Sequence, residues 1–263
     1  AKKGESPNWA VKFKADLTVN GKELKFKGLP IVPVGEIDAF LRKTLFDPKS
    51  DVGFSRDSAH YTLKGRVVGI PRRKIMEFFR KQKTLGETRP AVAKPKTAGG
   101  KKLKQYELET DLIFVKQDDL VKSNPRFLNR VPELSYIVST VEKTTGLSRY
   151  SHCITKKANV VTPIVIKHIK SICQQLKVDP KKCALRLDSG TEFSMARLKA
   201  VIPDSKNVPM GGSIENRNKM AQSSFYRIVK NRRALSIKGA LEQVERIVNN
   251  SVSRIQKATP DEA

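Results

Sequence analysis

Three acidic residues stand where phosphate chemistry would need them. Asp188 follows the apolar run Ala184, Leu185, Leu187 and precedes the sharp turn Ser189-Gly190. A buried strand that ends in such a turn leaves its last carboxylate at the exposed end. There it can hold a hard divalent metal ion through oxygen. Asp111 sits inside a second strand-like run, residues 108–115, and Glu215 opens a helical pattern just after Ser213. Each acid also has a plainer reading. Asp-Ser-Gly is an ordinary turn former, Asp111 could be a polar residue of a strand, and a carboxylate in a first helical turn is favoured by the helix dipole.

The elements that would position these acids follow in chain order. Residues 9–34 alternate weakly around Asn20-Gly21, a short-hairpin signal. Helical spacing begins at Gly35 with Ile37, Phe40, Leu41 and Leu45, and Asp47-Pro48 ends it. A second helix is expected over 58–67 and a third over 71–83, with Pro71 at its start and Ile75, Phe78 and Phe79 on its buried side. The last two look like a helix-turn-helix, the second helix opening with Arg72-Arg73-Lys74; a plain helical bundle is the alternative. Strands are expected over 108–115, 135–141 and 148–154. A helix with Thr162 as N-cap and Pro163 at its first position follows, with Val165, Ile169, Ile172, Cys173 and Leu176 on its apolar face. His168, between Lys167 and Lys170, reads as a surface residue. A strand over 184–187 and helices over 195–201, 213–230 and 236–252 complete an order that fits an α/β sheet flanked by helices. In the helix after Glu215, Ile214, Ala221, Phe225 and Ile228 form the buried face, while Asn218, Lys219 and Gln222 lie near the side of Glu215.

Charge names the partner. The 263 residues carry 52 Lys and Arg against 26 Asp and Glu, a formal net charge of +26. Self-repulsion on that scale is offset when phosphates are neutralised and their counterions released. Nucleic acid is therefore preferred over an anionic membrane, for which no strongly amphipathic basic helix and no spanning apolar run is present. The excess concentrates between Arg72 and Lys104, where twelve Lys and Arg face only Glu77 and Glu87. Residues 84–104, with Pro90, Pro95, Gly99 and Gly100, read as a basic linker whose Lys94, Lys96, Lys101, Lys102 and Lys104 could follow a phosphate backbone. Cys153, Cys173 and Cys183 are an odd number without a Cys-x-x-Cys pair, so neither a disulfide framework nor zinc is expected. They read as small buried apolar residues in a reducing compartment.

Six local runs, in order, resemble the retroviral and retrotransposon integrase superfamily, most closely the Polinton/Maverick type. They are Gly69-Ile70-Pro71 through Phe79-Arg80-Lys81-Gln82; Glu109-Thr110-Asp111-Leu112; Tyr136-Ile137-Val138 with Ser148-Arg149-Tyr150 and Lys156-Lys157-Ala158; Leu187-Asp188-Ser189-Gly190-Thr191-Glu192-Phe193; Glu215-Asn216-Arg217-Asn218; and Thr259-Pro260-Asp261-Glu262-Ala263. The resemblance, which covers residues 36–263, implies a ribonuclease-H-like mixed sheet over 105–263 preceded by a small helical unit over 35–83; the hairpin extension over 1–34 rests on its turn signal alone. It implies that Asp111, Asp188 and Glu215 hold Mg²⁺ or Mn²⁺ for strand transfer on DNA, with Glu192 in a supporting place beside them. Arg72, Arg73, Lys74, the linker lysines and Lys219 would contact nucleic acid. It further implies a homo-oligomer on DNA, in the nucleus or a viral or mobile-element particle. The sequence also departs from the family. The stretch between Asp188 and Glu215 is short, Glu142 stands where relatives often carry Asp, and only His60 remains of the zinc knuckle. A domesticated relative without chemistry is the alternative: a structural RNA- or DNA-binding subunit of a large nucleoprotein assembly such as a ribosome, with the mitochondrion as its compartment.

Overall fold

A computed structural model describes residues 14–21, 23–47, 49–53, 56–82, 106–127, 132, 134–188, 190–208, 212–231 and 236–250. The expected linker over 84–104, with Lys94, Lys96, Lys101, Lys102 and Lys104, lies outside them, as does the run that closes the sequence.

The N-terminal part opens with three short antiparallel strands, β1 (Leu17–Asn20), β2 (Glu23–Phe26) and β3 (Leu29–Pro30). The hairpin forms where Asn20-Gly21 predicts it, with Gly21 at φ 60. Helix α1 (Ile37–Phe46) buries Ile37, Leu41 and Leu45 on one stripe and stops at Asp47, whose extended backbone suits a residue before proline. Helices α2 (Arg56–Lys64) and α3 (Arg72–Lys81) follow. Their connection is longer than the tight turn of a helix-turn-helix and is held as a bridge. The Val32 N–H donates to the Val68 carbonyl at 2.8 Å, and the Val68 N–H to the Pro30 carbonyl at 2.9 Å. Gly69, at φ 97, admits this approach, because a Cβ there would lie 2.6 Å from the Val32 carbonyl oxygen.

The larger part is a mixed sheet of β4 (Glu107–Lys116), β5 (Leu134–Glu142), β6 (Ser148–Cys153), β7 (Ala184–Leu187) and β8 (Asp204–Asn207). Across the sheet the order is β6-β5-β4-β7-β8. β5 is antiparallel to both neighbours, and β7 and β8 run parallel to β4. That order, with only the second strand reversed, is the ribonuclease-H-like arrangement. The fold is therefore α/β, a mixed sheet flanked by helices and preceded by a small unit of strands and helices. Among the described residues, no helix is long and apolar enough to cross a membrane.

Alternation along the strands sorts the side chains between two layers. Leu108, Leu112, Val138, Leu185 and Leu187 pack under α5 (Ala158–Gln175), against Val165, Ile169 and Ile172. Ile113, Val115, Ile137 and Tyr150 face the other way, toward α7 (Gly212–Asn231) and α8 (Ile237–Asn249). The buried residues of α1, α2 and α3 belong to this second cluster, so the small unit and the sheet share one continuous apolar core.

Several expectations change. Helix α5 starts at Ala158, with Lys157 as N-cap, and Pro163 lies inside it. Thr162 is buried; instead of capping a helix, its hydroxyl accepts the Ser194 N–H at 2.9 Å. β8 and the short α4 (Gln117–Ser123) have no counterpart in the sequence reading, while α6 (Met195–Lys199) falls inside the helix expected over 195–201. β8 reads Asp-Ser-Lys-Asn, without apolar alternation, and forms because β7 offers it an open edge. His168 is 4% exposed, so it is not a surface residue. Its Nδ1 meets the Thr140 hydroxyl at 3.1 Å and its Nε2 the Ser151 hydroxyl at 2.8 Å.

Burial, aided by the charges of Arg149 and Lys167, brings the His168 pKa down to about 3. A value below the unfolded one means that the unfolded chain binds the proton first as pH falls. Stability is thus complete above the unfolded value of about 6.5 and declines toward the folded value, by on the order of 2 kcal/mol between roughly pH 6.5 and 5. Urea midpoints measured across that interval should fall in the native protein and fall clearly less in His168→Gln. Equal slopes would mean that the ring is not the titrating group.

Candidate active site

Parallel pairing brings two of the predicted acids together. The β4–β7 register runs from Glu107 opposite Ala184 to Thr110 opposite Leu187, so the next residue on each strand is Asp111 and Asp188. Both project to the α7 side of the sheet. Asp111 is part-buried; its Oδ1 accepts the Leu112 N–H at 2.7 Å and its Oδ2 accepts Asn218 Nδ2 at 2.8 Å. Burial raises its pKa, and the negative charges of Asp188 and Glu192 raise it further against those two hydrogen bonds. The Glu192 carboxylate folds back over Gly190, into space that a Cβ would fill.

Helix α7 crosses above the acids. Ile214, Ala221, Phe225 and Ile228 form its buried face, as their spacing predicts. Asn218, 8% exposed, reaches down to Asp111, and its Oδ1 has no hydrogen-bond partner. Glu215 lies on the solvent side of the first turn, with Lys219 exposed one turn later. The acids that press on Asp111 are Asp188 and Glu192. Among the described residues, no three His, Cys, Asp or Glu side chains stand together as a ready set of metal ligands.

The start of α7 is tied to the sheet by residues that the sequence did not single out for this. Glu109, on the same face of β4 as Asp111, is 3% exposed, and the Ile214 N–H favours its ionised form. Burial nevertheless raises its pKa. Lys143 bridges Glu109 at 3.1 Å and Glu107 at 2.7 Å, and Arg186 pairs with Asp204 at 3.1 Å. Glu142, fully buried, accepts the N–H groups of Thr144 and Thr145 at 2.9 and 2.6 Å and so closes the β5–β6 turn. The strand register, and no local motif, brings Glu107, Glu109, Lys143, Arg186 and Asp204 together, whereas the Glu142 turn is a local one.

The acid pair offers carboxylate oxygens, the chemistry that a hard divalent cation takes, and Asn218 meets Asp111 through its Nδ2 as a hydrogen-bond donor. Residues that fit it on this structure are Asp111 and Asp188, with Asn218 at their side. The predicted phosphate contacts in the described residues are exposed or half-buried, and three of them carry partners: Arg72 pairs with Asp57 at 2.5 Å, and Arg73 and Lys74 each pair with Glu77 at 3.1 Å. Surface pairs of this kind are worth little, so phosphates can compete for the cations.

No protein-family model matches the sequence, and no curated protein matches it. Among solved structures, the chain is similar to the HTLV-2 integrase catalytic core domain in complex with magnesium (trimeric form). The identity is 12% and the TM-score 0.45, over 60% of this chain and 95% of that one. It is also similar to a chain of the simian T-cell lymphotropic virus intasome in complex with PP2A regulatory subunit B56 gamma. There the identity is 11% and the TM-score 0.49, over 78% of this chain and 70% of that one. The strand order of the sheet stands on its own register, independent of these likenesses.

If burial and like charge oppose ionisation of Asp111, removing that charge stabilises the fold. Asp111→Asn should raise the metal-free melting temperature by roughly 2–4 °C, equivalent to about 1 kcal/mol for a chain of this size. A drop of similar size in calorimetry would show that the hydrogen bond to Asn218 outweighs the repulsion.

Proposed function

We propose that the chain is an integrase-like polynucleotidyl transferase of the type its local runs resemble, performing metal-dependent phosphoryl transfer on DNA. The observation that supports this most directly is the Asp111–Asp188 pair. Asp111, inside β4, and Asp188, just past the end of β7, meet on one face of adjacent parallel strands, and burial together with the neighbouring negative charge disfavours ionisation of Asp111. Such a pair gains from a divalent cation what it loses to repulsion.

Asp111 and Asp188 would hold Mg²⁺ or Mn²⁺, and Glu215 would join them from α7. When bound, the metal supplies the charge that activates an attacking hydroxyl and eases departure of the leaving oxygen. Asn218 fixes the orientation of Asp111 through its Nδ2. The Glu109–Lys143 pair steadies the first turn of α7, on which Glu215 rides. Lys219 and the basic residues of 72–104, including Lys94, Lys96, Lys101, Lys102 and Lys104, neutralise backbone phosphates without reading sequence. Assembly as a homo-oligomer on DNA belongs to the same reading.

A second reading has its own support. Glu215 is exposed, and no described group of three ligands is assembled. A relative without chemistry, binding RNA or DNA inside a large nucleoprotein assembly, would keep the charge and the fold and tolerate that arrangement.

One experiment separates these readings, and a second tests the phosphate contacts that both share. In the first, Asp188→Asn should abolish joining of a DNA end to target DNA while leaving DNA affinity nearly unchanged, because the residues that bind phosphate lie elsewhere. Native protein that neither nicks nor joins DNA with Mg²⁺ or Mn²⁺, and whose melting temperature ignores millimolar-scale metal, would leave the binding role. In the second, replacing Lys94, Lys96, Lys101, Lys102 and Lys104 by Gln should flatten the dependence of log affinity on log salt by up to about 4.5 units, near 0.9 for each phosphate that is no longer neutralised. An unaltered slope would remove these lysines from the interface.

A further inference from the structure

Two of the three cysteines touch. Cys173 Sγ and Cys183 Sγ are 3.7 Å apart, both thiols are buried, and the Asp179 carbonyl oxygen, 3.6 Å from Cys183 Sγ, is an alternative acceptor for that thiol's one proton. Their backbones are held independently of this contact. Cys173 lies in the last turns of α5, which ends in a Schellman motif. The Val178 N–H donates to the Cys173 carbonyl at 2.9 Å, and the Lys177 N–H to the Gln174 carbonyl at 3.2 Å. Lys177 takes the left-handed conformation, at φ 55, that this ending requires. Cys183 follows a 3-10 turn, Pro180–Lys182, capped by Asp179, whose side chain accepts the Lys181 N–H. Helix end, capped turn and strand start thus aim both sulfurs at one point.

We propose that Cys173 and Cys183 form a reversible disulfide, closed by hydrogen peroxide, that tethers the end of α5 to the start of β7. The sulfurs need to approach by only about 1.7 Å to reach bonding distance. The Cys173 thiolate attacks one peroxide oxygen. The O–O bond breaks, leaving a sulfenic acid on Cys173 and hydroxide, which takes up the proton released by the thiol. The Cys183 sulfur then displaces the sulfenic oxygen, which leaves as water with the Cys183 proton. Two thiols lose two electrons in all, and one peroxide becomes two waters.

The order of the steps follows from the contact. The Cys183 S–H stabilises a thiolate on Cys173 and holds it below the ordinary thiol value, while the same contact pushes Cys183 up. Cys173 is therefore the attacking sulfur and Cys183 the resolving one. Although its side chain is covered, Cys183 directly follows the exposed Lys181 and Lys182, so a small movement of that turn admits a water-sized oxidant. Cys153, buried on β6, is an internal control. The bond would anchor β7, which runs straight into Asp188, and this inference does not depend on the catalytic reading.

The test treats the full, reduced chain with hydrogen peroxide under native conditions and maps its cysteine peptides without reduction. The expected result is a Cys173–Cys183 peptide lighter by two hydrogens, with Cys153 still open to alkylation. The melting temperature should rise by about 5 °C, and the amides of Leu185 and Leu187 should exchange more slowly. Dithiothreitol should reverse all three changes. Cys183→Ser should give no cross-link and carry Cys173 on to the sulfinic acid. Should that variant fail to fold, Cys153→Ser, which retains the pair, must cross-link fully and leave no free thiol. Recovery of both thiols unmodified after oxidation of Cys153, or a cross-link that appears only in denaturant or involves Cys153, would overturn the proposal.

Discussion

Pairing of β4 with β7 in parallel is the constraint on which the candidate site depends. It sets two carboxylates from distant parts of the chain side by side, Asp188 exposed and Asp111 part-buried, where burial and like charge raise the Asp111 pKa. A shift of one residue in that register would send Asp188 to the opposite face of the sheet, beneath α5. The register is secured because Leu185 and Leu187 must enter the apolar layer under α5 and cannot face α7 without exposing it. Hydrophobic packing on one side of the sheet therefore holds an electrostatically unfavourable pair on the other.

That division recurs through the sheet. The α5 side is mainly apolar but carries a small network, Thr110, Thr140, His168 and Ser151, in which each ring nitrogen meets a hydroxyl, and beside it Arg149 donates to the Ser171 hydroxyl of α5 at 3.0 Å. The α7 side is apolar toward Val115 and Ile137 and becomes charged toward Glu107 and Lys143. Helix α7 spans this gradient, with Phe225 and Ile228 in the core at one end and Ile214 above Glu109 at the other. The helix is thus anchored by packing at its far end and by a buried charge at its near end. Glu215 lies one residue beyond that near anchor, so its approach to the acid pair is governed by the first turn of α7.

Helix α8 resolves a separate problem. β6 is an edge strand, and its outward backbone groups would otherwise offer a template for another chain. Asn249 answers Ser148 on both sides, accepting its N–H at 2.9 Å and donating to its carbonyl at 3.1 Å. One turn earlier, Glu245 accepts the Tyr150 N–H at 3.3 Å and pairs with Arg149 at 3.3 Å. An edge closed by side chains does not require a further strand, which leaves the five-stranded sheet complete while the strand facing β5 remains regular.

Much was legible in the residues themselves because it depends on local geometry. Turn chemistry marks the Asn20-Gly21 hairpin, and helical spacing marks the buried faces of α1, α3 and α7. The long apolar runs of β4 and β5 have no competing local solution. Asp188 at a strand end and Asp111 within a strand were readable for the same reason. Other features depend on partners far away in sequence. β8 has no apolar pattern, and His168, flanked by two lysines, reads as surface until Thr140 and Ser151 are placed against its ring. The cysteines read as separate small apolar residues until the end of α5 and the turn before β7 bring two sulfurs into contact. Local sequence carries the preferences of each segment. Only the tertiary structure decides which buried polar groups meet, because an isolated segment cannot lower the cost of a charge or hydroxyl whose partner lies on another strand.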